Sequence, residues 1–154
     1  MGSFVRWALS LVAAVMLVTA VSGCGQEKPV PGEPTMVVAG ATFDLRVART
    51  ASELERGLSG TASLAPDEAM LFVLPARGSA GVWMKDMAYP IDIMWLDDRM
   101  SVVDVLRSAQ PSSYPKTIYT PSSPSTFVVE MADGTVARHG ITPGMRVQVE
   151  GAGL

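Results

Sequence analysis

The sequence predicts one small mixed α/β domain, mainly β, built as a curled sheet or small barrel with one or two short helices. Three observations carry this expectation. Apolar runs rich in β-formers at residues 70–74, 81–84, 91–96 and 127–131 are too short for ordinary helices and are parted by turn residues. Only two windows, one opening at Thr50 and one at Thr135, carry helix start and stop signals. The chain has 154 residues, 48% of them hydrophobic, which suits a single domain able to bury its own core.

Taken in order, Phe43, Leu45 and Val47 alternate with Thr42, Asp44 and Arg46, the period of a half-buried strand. Thr50 and Glu53 stand in capping-box spacing before Leu54 and Leu58, and Gly57 and Gly60 end that helix within about two turns. The strands at 70–74, 81–84 and 91–96 are separated by Pro75 with Gly78 and by Lys85 with Asp86, and Asp97-Asp98-Arg99 turns the chain into a hairpin with residues 101–106. Runs apolar on both faces predict strands covered from both sides. Residues 110–124, with Pro111, Pro115, Pro121 and Pro124 among serines and threonines, form a long loop. It is either a binding loop offering Tyr114 and Tyr119 or a surface excursion stiffened by proline. A strand at 127–131 follows. Residues 135–139 before Gly140 fit a short helix better than the hairpin Asp133-Gly134 would close, and Met145, Val147 and Val149 make a last strand.

The first forty residues have a different texture. Arg6 precedes a nearly unbroken apolar run over residues 7–21, then the small Ser22 and Gly23, the order of a secretory signal spanning residues 1–23. The run falls short of the roughly 20 apolar residues of a membrane-spanning helix. Val21-Ser22-Gly23-Cys24 resembles the lipobox of bacterial lipoproteins. The resemblance implies an acylated Cys24 as mature N-terminus, anchored in a lipid bilayer on the extracytoplasmic side of the cell membrane or outer membrane. The plainer alternative is an ordinary signal followed by an incidental cysteine. Residues 24–40, with Pro29, Pro31, Gly32 and Pro34, read as a tether, and residues 41–150 as the folded domain.

Charge and composition narrow the partners. A net charge of −3, with basic residues scattered singly, lacks the clustered Lys and Arg that nucleic acid requires. One cysteine and one histidine, Cys24 and His139, provide neither an internal disulfide nor a zinc site. No cofactor is expected.

Asp92 lies in an apolar run and Glu130 sits between Val129 and Met131; a carboxylate in such a strand must be paired or hydrogen-bonded. The functional expectation is that Lys85, Asp92 and Glu130 converge beside Trp83, with Arg56 a further basic candidate, to bind a small polar ligand or an envelope glycan. The structural alternative has Asp92 accepting backbone hydrogen bonds with Lys85 neutralising it. As a hydrolase, the protein would use Asp92 and Glu130 as a carboxyl pair flanking one glycosidic bond. A more distant alternative has the thioethers of Met84, Met87 and Met94 holding Cu(I), although strand methionines more often fill a core. Asp97-Asp98 alone is too few oxygens for calcium.

The order of the sequence words is similar to that of the domain-of-unknown-function 192 family, also called uncharacterised protein family 0127. Ala48 and Thr50 precede the helix ending Arg56-Gly57-Leu58; Met70-Leu71-Phe72, Trp83-Met84-Lys85, Ile91-Asp92-Ile93, Glu130, Gly140-Ile141, Gly144 and Val147 follow. The resemblance spans residues 43–149. It departs at Ser59, Ala69, Asp86-Met87 and Met145, where members usually carry Met, Gly, Asn-Thr and Asp. It implies the fold and an exported or envelope-attached setting; it brings no established activity.

Overall fold

The computed structural model describes residues 32–154. The signal, Cys24 and most of the proline-rich stretch lie outside the described residues. Seven strands form one sheet: β1 (Thr35–Val38), β2 (Ala41–Ala48), β3 (Glu68–Gly78), β4 (Ile91–Leu96), β5 (Val102–Ala109), β6 (Ser125–Ala132) and β7 (Gln148–Glu150). Their order across the sheet is β5-β4-β6-β3-β2-β1-β7. Two short helices, α1 (Ala51–Arg56) and α2 (Thr135–His139), complete the domain.

Every neighbouring pair is antiparallel except β2 and β3. Parallel neighbours need a crossover, and α1 supplies it. Thr50 caps this helix as its spacing predicts: its Oγ1 accepts from the Glu53 N–H, and Glu53 Oε2 accepts from the backbone N–H groups of Thr50 and Arg49. Those two donors hold the Glu53 carboxyl below the ordinary carboxylate range. The short helix predicted from Thr135 is also present, closed by Gly140 in the left-handed conformation.

The sheet curls until β5 approaches the segment leading into β7. Ser101 bridges Arg146, the Val102 N–H donates to the Met145 carbonyl and the Gly144 N–H to that of Val102. The inner face holds Met36, Phe43, Leu45, Leu71, Met94, Leu96, Val129 and Met131, closed over by Val136, Ile141 and Val147. The outer face carries Phe72, Ile91, Ile93, Trp95 and Val128 under a cover of Leu58, Leu64, Val82 and Met84 from the loops. Each residue of β4 is buried, which is why its run is apolar at both parities.

Several boundaries differ from the sequence expectation. The sheet begins at Thr35, inside the stretch read as tether: Met36 and Val38 are buried and pair with β2 through a tight turn at Ala39-Gly40. Both turn residues have positive φ, the geometry of a two-residue hairpin turn. Residues 81–84 are no strand; only Val82 bridges, to Tyr119. Their apolarity serves the cover over the outer face. β3 runs on through Pro75 to Gly78, at a register irregularity where a residue without an N–H is tolerated. β7 is confined to 148–150, because residues 144–147 bond to the start of β5 instead.

Candidate functional site

Strand parity decides the fate of the two buried carboxyls. Asp92 pairs across β4 and β6 with Met131, an inner-face residue, and Ile93, an outer-face residue, pairs with Glu130. Side chains alternate along a strand, so Asp92 points inward and Glu130 outward. The expected convergence of Lys85, Asp92 and Glu130 is corrected on this point, and with it the hydrolase reading. Carboxyls on opposite faces of one sheet cannot flank the same glycosidic bond.

Asp92 is fully buried and works as a structural acceptor. Its Oδ1 accepts the Ser108 N–H and its Oδ2 the Val136 N–H, each at 2.8 Å. Ser108 has a φ of 55° at an irregularity in the β4–β5 pairing, and Val136 lies in the first turn of α2. The side chain therefore satisfies two donors that the sheet and helix leave unpaired. Lys85 does not neutralise it. Its ammonium lies over the Trp83 ring, 5.9 Å from the centroid, in the loop covering the outer face.

Glu130 has the opposite surroundings. It is 6% exposed, flanked on β3 and β4 by Met70 and Ile93, and has no hydrogen-bond or ion-pair partner among the described residues. Burial alone pushes its carboxyl up from 4.5 to about 8. The surface left to it opens into a cleft of about 220 Å³. Leu54, Phe72, Leu74, Val82, Trp83 and Val128 provide apolar wall, with Arg56 and Ser59 among the polar lining.

Local sequence explains the opening. At Gly57 the backbone turns with φ 48° and ψ −129°, and a Cβ there would stand 3.0 Å from Phe72 Cζ and 3.8 Å from Glu130 Oε2. Glycine lets the end of α1 pass this close to the ring. Ser59 Oγ donates to the Lys85 carbonyl at 2.7 Å, tying the loop after α1 to the Trp83 loop. Two positions that depart from the family pattern, Ser59 and Met87, both line this cleft.

Of the sequence candidates, Glu130, Trp83 and Arg56 share the cleft, Lys85 lies beside it, and Asp92 lies elsewhere. Tyr114 touches Trp83 edge-on, ring centroids 6.5 Å apart, but neither Tyr114 nor Tyr119 lines the cleft. The methionine alternative is corrected too. Met84 is buried in the outer-face cluster and Met94 in the inner one, so the three thioethers cannot share an ion. Asp97 Oδ1 instead accepts from the Arg99 and Ser101 N–H groups inside the hairpin turn. Sequence reasoning missed the cleft's walls: Phe72 read only as strand core and Gly57 only as a helix stop.

A curled mainly-β domain with a solvent-open cleft over a buried carboxyl is the class of protein that these features define. The family model of domain of unknown function 192, described as an uncharacterized ACR, matches residues 35–149, and the chain belongs to that family. A crystal structure from Novosphingobium aromaticivorans, described as a protein of unknown function, is 30% identical with a TM-score of 0.68, covering 78% of this chain and 89% of its own. Another from Sinorhizobium meliloti, described as a candidate transcription regulator, is 26% identical with a TM-score of 0.69, covering 77% of this chain and 93% of its own. No curated protein matches the chain.

Proposed function

We propose that the protein is an exported, lipid-anchored binding module that holds a small ligand with an apolar body in the cleft above Glu130. One observation carries this reading. A buried carboxyl without a partner is costly to keep, and here it borders an open cleft instead of a packed core. Groups of this kind cluster where a ligand completes the pairing. Small ligand sites usually exceed about 300 Å³; the smaller volume here favours a compact molecule or the tip of a larger one.

Thermal-shift screening of small amphiphiles tests the site. Stabilisation follows affinity and concentration, so a compound at about a hundred times its Kd adds about 2.7 kcal/mol. Leu54→Trp, which fills the cleft from α1, is expected to abolish that gain. Hits that stabilise the Leu54→Trp variant equally well would place the ligand elsewhere.

The anchor rests on Val21-Ser22-Gly23-Cys24 and the preceding apolar run. Two or three acyl chains hold a protein stably on a bilayer, at about 0.8 kcal/mol for each buried CH₂. Cys24→Ser is expected to move the protein from the membrane fraction to the soluble exported fraction; unchanged detergent partitioning would refute the anchor. Binding of nucleic acid gains no support from a net charge of −3 with scattered basic residues, so the transcription-regulator description attached to the Sinorhizobium protein is not carried over.

A further inference from the structure

We propose that the cleft takes an organic cation: a small protonated amine whose apolar body lies against Phe72 and Trp83 and whose charge pairs with Glu130. This inference rests on the cleft being the ligand site and adds the ligand's chemistry. Three features of the lining point to it. Glu130 has no donor among the described residues, so an incoming N–H group meets unoccupied acceptor oxygens. A glutamine would offer a neutral ligand a donor and an acceptor without an ionisation cost; what a glutamate adds is a countercharge. The wall beside it carries Phe72, Trp83 and the Met87 thioether, and aromatic faces attract cations. Trp83 already attracts one cation, the Lys85 ammonium 5.9 Å from its ring centroid.

The other ionisable groups around the cleft leave room for this pairing. Glu55 and Arg56 come from the end of α1, Lys85 stands over Trp83, and the strands flanking Glu130 present only Met70 and Ile93. Arg56 interacts with Glu53 on its own helix and does not pull the Glu130 carboxyl down. A ligand cation is therefore the partner that the carboxyl lacks.

Pairing requires Glu130 to lose its proton. Near pH 7 the group is mostly protonated, so binding an amine releases about one proton to solvent. Raising the pH from 7 to 9 deprotonates the group beforehand and is expected to tighten binding about tenfold, while alkylamines stay charged because their pKa lies near 10.4, as in lysine. A neutral ligand hydrogen-bonded to the protonated acid shows the reverse trend and no proton release.

The test is calorimetric titration of the full chain with hexylamine and phenethylamine, against hexanol and phenethyl alcohol as neutral isosteres, in two buffers of different ionisation enthalpy. The expected result is amine binding about tenfold or more tighter than its alcohol at pH 9, with proton release at pH 7. Glu130→Gln is expected to keep alcohol binding and lose the amine preference. Equal binding of amine and alcohol, or a preference that survives Glu130→Gln, overturns the cation assignment and leaves the cleft reading standing. Binding by none of the four compounds overturns the assignment and the cleft reading together.

Discussion

Glu130→Gln is expected to stabilise the protein at pH 8 and above and to leave it nearly unchanged near pH 4. In the folded protein the carboxyl titrates at about 8, against 4.5 for an ordinary glutamate. The shift is upward for an acid, so the folded state holds a proton that the unfolded chain has released. Below about pH 4.5 both states are protonated and burial of the charge costs nothing. From there stability falls by about 1.4 kcal/mol per pH unit until the folded group ionises near pH 8, and stays flat above it. The full span is worth about 5 kcal/mol, an upper value because some solvent reaches the carboxyl through the cleft. Glutamine has the same shape and no charge to desolvate. Urea unfolding of both proteins at pH 4.5 and pH 8.5 checks this, and a difference independent of pH would be the wrong outcome.

The second large effect has the opposite sign. Asp92→Ala is expected to destabilise the domain by about 4 kcal/mol, because it strands two buried N–H donors, each worth about 1–3 kcal/mol. Those donors belong to Ser108 and Val136, at 2.8 Å in the intact protein. Their amide protons should exchange faster in the variant even where the global fold persists. An Asp92→Ala protein as stable as the parent would mean that the carboxyl is not the tie between β4, β5 and α2. Two carboxyls in adjacent strands thus have opposite signatures. Removing one loosens the fold, and neutralising the other strengthens it.

The contrast also marks how far the sequence could be read. Mainly-β character, the capped helix at Thr50, the hairpin at Asp97 and the helix at Thr135 were legible because each rests on local chemistry: periodicity, a capping side chain, a turn glycine or aspartate. That Asp92 and Glu130 are buried was legible as well, from their apolar neighbours. Which way each one faces was not. A strand's two parities are equally apolar when both faces are covered, so only the register of Asp92 with Met131 and of Ile93 with Glu130 separates them. Residues 81–84 misled for a related reason, since a covering loop and a strand are both apolar. β1 was hidden by its short length and by the prolines before it. Gly57 does two jobs, helix end and close approach to Phe72, and only the first leaves a trace in sequence.

Glu130 is a desolvated carboxyl at the edge of an open cleft, without a partner among the described residues. Following its side-chain carboxyl carbon by NMR from pH 4 to pH 10 measures this directly. A titration midpoint near 8 is expected in the free protein. A midpoint at the ordinary glutamate value would mean that the group is solvated or already paired, and the proposed site would lose its basis.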